Sequence, residues 1–350
     1  MGCYVKGPLF ARDFSTRAGV VAMLTSGLSP MLTTYSDQNG HLLPIAEGDL
    51  RKALWIDLYE PSREEEIRVE AELQLEIPTR DEMREVESSS ALYREHGATF
   101  VTIRLVERRE SMQPRLTSVT LVLADNQLVT IRYANPKAFQ LFTAKTQKPD
   151  SVFHSAISAM LCLLETVVDR DADLLEEIGD ALEPISTEIF SQNATSMDKI
   201  AAADLGGVLK RIGNAGELAS RVRESLHSIG RSIPFLQMQI VDDNGLDTRL
   251  KTLARDVQSL AEHDNFLQTQ IQFLLDSSIG LISIQQNAIM KTLSVAAVIF
   301  LPPTLIGSIY GMNFDRIPEL HWHYGYIWAL GLMAMSACGP LIFFRLKRWL

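Results

Sequence analysis

The chain has 350 residues, with 33 Lys and Arg against 43 Asp and Glu, and so a formal net charge of −10. That length suggests about two domains, and the acidic balance argues against a general nucleic-acid binder, so no nucleic-acid partner is expected. Its three cysteines, Cys3, Cys162 and Cys338, are widely spaced and odd in number, which excludes a disulfide framework and a cysteine-based zinc cage.

Residues 1–30 contain no strong periodic element and read as a disordered extension, or as an over-called start with Met31 as the natural first residue. Lys6 stands where a myristoylation signal wants Ser or Thr, and no apolar run there is long enough for a secretory signal. Residues 31–150 are expected to form a cytoplasmic α/β domain. ALWIDL at 53–58 reads as a strand, and Pro61-Ser62 then opens an acidic helix, REEEIRVEAEL. Thr79 and Glu82 have the capping-box spacing for a second helix. Strand candidates follow at 99–107, 118–124 and 127–133, the last two joined by an Asp125-Asn126 turn. Neither GxGxxG nor GxxxxGK(S/T) occurs, and no nucleophile–base pair is evident, so the chain is not read as an enzyme.

Residues 151–290 read as helical. Between 165 and 188 nine acids (Glu165, Asp169, Asp171, Asp173, Glu176, Glu177, Asp180, Glu183 and Glu188) face one base, Arg170. Such a run is a solvated helix face or, on a sharper reading, a surface that concentrates cations. Gly206-Gly207 and the segment from Gly230 to Pro234 suggest breaks between helices. After Asn244-Gly245 no proline occurs before Pro302, which predicts one helix on the order of 100 Å long. Such a helix needs partners, and a homo-oligomer supplies them.

Residues 291–350 read as a transmembrane hairpin. A first span at 292–310 has nineteen residues and no charge, about 28 Å as a helix and close to the hydrocarbon thickness of a bilayer. An outer loop at 311–323 leads to a second uncharged span at 324–344. Lys291 precedes the first span and Arg345, Lys347 and Arg348 follow the second, which places both termini in the cytoplasm. Pro302-Pro303 within the first span is costly in lipid unless the freed carbonyls face another helix or a cavity.

Stepped at about 100° per residue, Asn287, Met290, Ser294, Ala297, Leu301, Thr304 and Ser308 share one arc of the long helix. Bulkier Val295, Ile299, Ile306 and Tyr310 lie opposite. Two readings of the stripe stay open: close packing without conduction, or a pore wall in a ring of identical helices. The stripe has no Asp, Glu, His or Cys, so an ion passing along it keeps its water, which suits Mg²⁺. Oxygens of Asn287, Thr304 and Asn313 would then meet coordinated water, and apolar collars at Met290, Leu293 and Leu301 would gate by dewetting.

The string FLPPTLIGSIYGMNF, followed by IPELHW, a second span and a basic tail, resembles the CorA divalent-cation transporters. The resemblance extends through WIDLYEP, EHDNFL, FLLD, ISIQQN and MKTLSVAAVIF and covers Met31 to Leu350. It implies a CorA-like, funnel-shaped homopentamer in the bacterial inner (plasma) membrane, with an α/β cytoplasmic domain, a long α-helical stalk and two transmembrane helices. Five copies of the first span would surround the pore. It implies a selectivity filter of Gly311, Met312 and Asn313: Asn313 in a ring that binds hydrated Mg²⁺, Gly311 permitting a tight turn, and Met312 packing beneath. The family's pore positions fall on Asn287, Met290, Leu293, Leu301 and Thr304. The implied cargo is Mg²⁺, with Co²⁺ and Ni²⁺ also admitted, and no organic cofactor.

Regulatory carboxylates of that family point to Glu85 and Asp256, with ordinary surface ion pairs as the alternative. In the outer loop Glu319, His321 and His323 are candidates for ion capture; the two imidazoles suit Zn²⁺ or Ni²⁺, or else serve as interface anchors. Competing readings are a Zn²⁺ or Ni²⁺ transporter of the ZntB type, and a non-conducting membrane-anchored sensor whose stalk carries a regular heptad seam. Met312 and Pro318-Glu319-Leu320 are both intact, which favours Mg²⁺ over Zn²⁺.

Overall fold

The computed structural model describes residues 32–38, 41–45, 50–84, 91–108, 113–148, 153, 155–190, 204–239, 245–312, 319 and 322–347. The expected extension at 1–30 and, among the site candidates, Glu85, Asn313 and His321 lie outside these residues. The chain divides into a first unit that runs to Asp180 and includes Asn214–Thr269, and a second built from Ala181–Gly213 and Gln270–Leu350.

The first unit is organised by a seven-stranded sheet in the order β2-β1-β3-β7-β6-β5-β4. Its strands are β1 (Leu32–Gln38), β2 (His41–Ile45), β3 (Trp55–Tyr59), β4 (Leu92–Glu95), β5 (Ala98–Glu107), β6 (Arg115–Ala124) and β7 (Gln127–Arg132). Only β3 and β7 run parallel; every other neighbouring pair is antiparallel. Alternation along β3 sends Ile56 and Leu58 to one face, where they pack with Val69, Phe100 and Val129. Trp55 and Asp57 point to the other. There Trp55 stacks on Tyr35 at 4.1 Å and meets Phe142 edge-on at 4.9 Å.

Helix α1 (Arg63–Leu73) begins at a complete capping box: the Glu65 N–H donates to Ser62 Oγ, and the Ser62 N–H donates to Glu65 Oε2 at 2.8 Å. The second capping box also forms, with the Thr79 N–H donating to Glu82 Oε2 at 2.7 Å. Among the described residues it opens a 3₁₀ turn, Glu82–Arg84; residues 85–90, over which the expected helix would continue, lie outside them. Helix α2 (Lys137–Thr146) follows the sheet and supplies Phe139 and Phe142 to its core.

Parallel strands β3 and β7 are fastened by a buried charge network. Arg132 donates from Nη2 to Asp57 Oδ2 at 2.8 Å and from Nε to both carboxylate oxygens. Thr130 Oγ1 donates to Asp57 Oδ1 at 2.7 Å and accepts from Trp55 Nε1 at 3.0 Å. The remaining Arg132 donor reaches Ala134 O and Asn135 Oδ1, and its guanidinium lies 4.3 Å from the Tyr59 ring centre. Each partner of this buried pair is therefore satisfied, the condition under which a buried charge is tolerated.

Three long helices follow: α3 (Ala156–Phe190), α4 (Leu205–Gln237) and α5 (Leu246–Tyr310). Within the first unit they pack side by side. On α4 the buried positions Ala215, Leu218, Ala219, Val222, Leu226, Ile229, Ile233 and Leu236 follow the 3–4 spacing of an apolar seam. On α5, Leu250, Leu253, Val257, Asp264 and Leu267 do the same. The chain's own helices fill that seam: a β-carbon on Gly230 would lie 3.4 Å from Val257, and one on Gly179 would lie 3.9 Å from Leu267. A regular seam here is therefore internal packing, and it does not mark the stalk of an oligomerising sensor.

The expected break at Gly230 to Pro234 is absent. Helix α4 runs unbroken through both residues and ends three residues after Pro234, whose missing N–H leaves the Gly230 carbonyl without its helical donor. The Gly206-Gly207 pair lies instead in the first turn of α4, where Asp204 Oδ1 accepts from the Gly207 N–H at 2.9 Å. In the second unit Phe190 of α3 stacks on Phe273 of α5 at 5.5 Å, and Glu188 pairs with Arg211.

The acidic run on α3 is mostly a solvated face. Asp169, Asp173, Glu176, Glu177, Asp180, Glu183 and Glu188 are exposed, with Glu177 paired to Arg108. Two members depart from it: Glu165 takes Arg249 in a two-pronged bond of 2.8 and 3.0 Å, and Asp171 points inward.

Candidate functional site

Helix α5 has 65 residues and remains helical across Pro302 and Pro303. Its last part and α6 (Gly325–Leu346) are, among the described residues, the two helices long and apolar enough to cross a membrane. Few of their residues are buried within the single chain, as expected of segments whose cover is lipid or other copies.

The two sides of α5 differ. Asn287, Met290, Leu293, Ser294, Ala297, Leu301, Thr304 and Ser308 are all exposed. Val295 is buried and Ile299, Ile306 and Tyr310 are half-buried on the other side. That side meets α6: a β-carbon on Gly307 would come 3.3 Å from the Met333 methyl group. Thr304 donates its hydroxyl proton to Phe300 O at 2.7 Å, so the oxygen lone pairs are what it offers outward. The prolines leave the carbonyls of Val298 and Ile299 without the helical donors they would otherwise have.

Beyond Tyr310 the chain continues the turn, with the Gly311 N–H donating to Gly307 O at 3.0 Å and the Met312 N–H to Ile309 O at 3.3 Å. Gly311 does not adopt a left-handed backbone. What constrains it is proximity: a β-carbon there would sit 3.1 Å from the Gly307 carbonyl oxygen. Met312 is exposed in the single chain. Between α5 and α6 Glu319 is half-buried, and His323 is exposed with its ring edge-on to Tyr324 at 5.0 Å.

Two residues escaped the sequence reading. Gly325 opens α6 with its N–H donating to Trp322 O at 3.0 Å, and a β-carbon on it would fall 2.1 Å from Glu319 O. Only glycine fits there. Asp276 lies eleven residues before Asn287, three helical turns plus about 20°, and so on the same face of α5. It is exposed and accepts from Gln272 at 3.0 Å. Extending the helical phase inward from Asn287 would have found it.

Asp256 is exposed on α5, near Asp169 of α3. Burial pushes the Asp169 carboxyl upward, Lys145 opposes this, and Glu165, Asp173 and Asp256 add to the rise. Among the described residues no three His, Cys, Asp or Glu side chains come together as a metal cage.

An α/β domain and helical bundle that continue along one helix into an apolar hairpin define a two-span helical membrane protein. A family profile described as CorA-like Mg²⁺ transporter protein matches residues 51–348. The chain belongs to that family. It is 30% identical over 323 residues to the magnesium transport protein CorA of Escherichia coli K12, covering 91% of this chain and all of the relative. The magnesium transport protein CorA of Sodalis glossinidius matches at the same identity and coverage. Among solved structures, the CorA magnesium transporter from Methanocaldococcus jannaschii superposes with a TM-score of 0.71 at 19% identity, over 92% of this chain and all of that one.

Proposed function

We propose that this chain is the subunit of a homopentameric, gated channel for hydrated Mg²⁺ that also admits Co²⁺ and Ni²⁺. In this reading it lies in the bacterial inner membrane with both termini in the cytoplasm, and it moves ions rather than catalysing a reaction. The division at 31–150, 151–290 and 291–350 corresponds to cytoplasmic α/β domain, helical region with stalk, and transmembrane hairpin.

One observation carries the proposal. The face of α5 with small and polar side chains is uncovered, flanked by exposed Phe300, Leu305 and Ile309, while Val295, Ile299 and Ile306 lie on the side that meets α6 of the same chain. Identical copies around an axis are the natural cover for such a face, and a closed ring satisfies every copy equally. Asp276 would ring the inner end and raise the local cation concentration. Asn287, Thr304 and Asn313 would address the ion through its coordinated water, since Mg²⁺ dehydrates reluctantly. Met290, Leu293 and Leu301 would form dewetting collars, and Gly311 and Met312 would shape the outer mouth beneath Asn313.

The inside-negative potential drives entry, worth about 2.3 kcal/mol per charge per 100 mV. Regulatory Mg²⁺ between cytoplasmic carboxylates, Glu85 and Asp256 among them, would hold the closed state; its removal leaves like charges facing each other and favours opening. The decisive measurement is ion flux into liposomes holding the purified protein, comparing Mg²⁺, Co²⁺, Ni²⁺ and Zn²⁺. Asn313→Ala abolishes Mg²⁺ entry with the oligomer intact. Undiminished flux in that variant rejects the filter, and a monomeric protein in lipid rejects the pore.

A further inference from the structure

We propose that the two membrane-length helices share one hinge: Pro302-Pro303 on α5 and Pro340 on α6 stand at the same level of the hairpin and let both helices bend there together. The inference concerns how this pair moves and does not rest on ion passage. All the residues involved lie in the second unit.

Each helix carries proline in its interior, Pro302 and Pro303 on α5 and Pro340 on α6. Each also has one covered side. On α5 that side includes half-buried Ile299, Pro302, Pro303 and Ile306, and on α6 half-buried Met333, Ser336, Pro340 and Phe344, both at the 3–4 spacing of a helix face. The prolines therefore lie in the seam rather than on the exposed sides. Cover runs from Val295 to Tyr310 on one helix and from Gly325 to Phe344 on the other, and Gly307 meets Met333 near the connected ends, so the helices run antiparallel. Seven residues from that contact, back along α5 and onward along α6, Phe300 and Pro340 stand at one level. Pro302 and Pro303 lie two and three residues beyond Phe300, an offset of about 3–5 Å and less than one turn.

Each proline removes one amide hydrogen bond and presses on the carbonyl four residues back, at Val298, Ile299 and Ser336. Sharp helix kinks, beyond about 20°, sit almost always at such residues or at a few other local defects. A kink in α5 alone would open the seam or drive α5 into its neighbour. Tyr310 ends α5 seven residues past Pro303, about 10 Å along the axis, so a bend of about 20° would carry it roughly 4 Å sideways. A gap of about 1 Å already forfeits up to half the dispersion attraction of the atoms across it. Bending α6 at the same level removes that penalty, because the parts of both helices beyond the hinge then move as one body. Gly307 and Met333, both in that body, keep their contact at every angle.

The test is cryo-electron microscopy of the full-length protein in lipid nanodiscs, with Mg²⁺ and after its removal by EDTA, for the parent and for Pro340→Ala. It reads the angle between residues 291–300 and 304–310 of α5, and between 325–336 and 341–346 of α6. In the parent both helices should bend by about 20° or more in at least one condition, in the same direction and within one turn of the same level. Pro340→Ala restores the amide of α6 and should reduce the α5 angle roughly twofold, although no residue of α5 has changed. Misfolding does not straighten an unaltered helix. The reciprocal Pro302→Ala, Pro303→Ala variant should reduce the α6 angle to the same degree, and it decides the matter if Pro340→Ala does not fold. Straight helices in the parent, bends separated by more than one turn, or an unaltered helix that keeps its parental angle overturns the proposal.

Discussion

The Asp171 carboxylate accepts a hydrogen bond of 2.6 Å from the Ser225 hydroxyl, tying α3 to α4 from a position 2% exposed to solvent. Burial pushes this carboxyl up to about 7, while the Ser225 bond and Arg170 pull the other way. Because the folded value lies above the unfolded one, near 3.9, the proton is bound more tightly in the native state. That contribution is complete below pH ~4 and is lost as pH rises towards ~7. An Asp171→Asn variant, which keeps an acceptor for Ser225 and carries no charge, should gain on the parent as pH rises through this window. The gain should be on the order of a few kcal/mol. Thermal unfolding of the solubilised protein at pH 5 and pH 8 reads it, and a parent–variant difference that is flat with pH refutes the assignment.

Removing one partner of the Asp57–Arg132 pair leaves the other charge buried and alone. Arg132→Ala should cost about 3–5 kcal/mol and lower the melting temperature of the first unit sharply. Replacing both residues by apolar ones of similar size should cost much less than the single change. Equal losses in the single and double variants would show that the network contributes packing rather than charge compensation.

Gly325 and Gly307 are both glycines of the hairpin, yet their neighbours differ. The β-carbon of Gly325→Ala would meet the backbone oxygen of Glu319 at 2.1 Å, so the backbone at Glu319 must move. Gly307→Ala meets the end of a flexible methionine at 3.3 Å, which can shift aside. We expect Gly325→Ala to impair Mg²⁺ flux at least tenfold and to destabilise by about 1–3 kcal/mol or more, while Gly307→Ala keeps near-parental flux. Flux assays on the pair, side by side, decide the matter.

In the outer loop the His321→Ala, His323→Ala double variant should conduct Mg²⁺ at the parental rate. Selective loss of Zn²⁺ uptake in that variant would shift the reading to a zinc carrier. At the inner end Asp276→Asn should slow entry at low Mg²⁺ by up to roughly tenfold, an effect that shrinks with added salt as steering is screened.

Local signals carried much of the architecture. The strands β3, β5, β6 and β7 and the helix at Arg63–Leu73 were legible because alternation and capping act within a few residues. The β1–β2 hairpin went unread although Asn39-Gly40, a strong two-residue turn signal, separates its strands; the polar sequence of β1 concealed it. Helical phase alone gave the α5 stripe, since it depends only on spacing along one element. By contrast, the inward turn of Asp171 and the need for glycine at 325 both depend on what packs opposite. Chain-distant neighbours of that kind leave no local pattern.

Pro302 and Pro303 give the first span a property that the rest of the long helix lacks. A helix bends only by stretching the amide contacts along its outer curve, and here two successive contacts were never made. The two halves of the segment can tilt against each other at this level without breaking any backbone bond. Motion started far along the helix therefore meets its softest joint midway through that span.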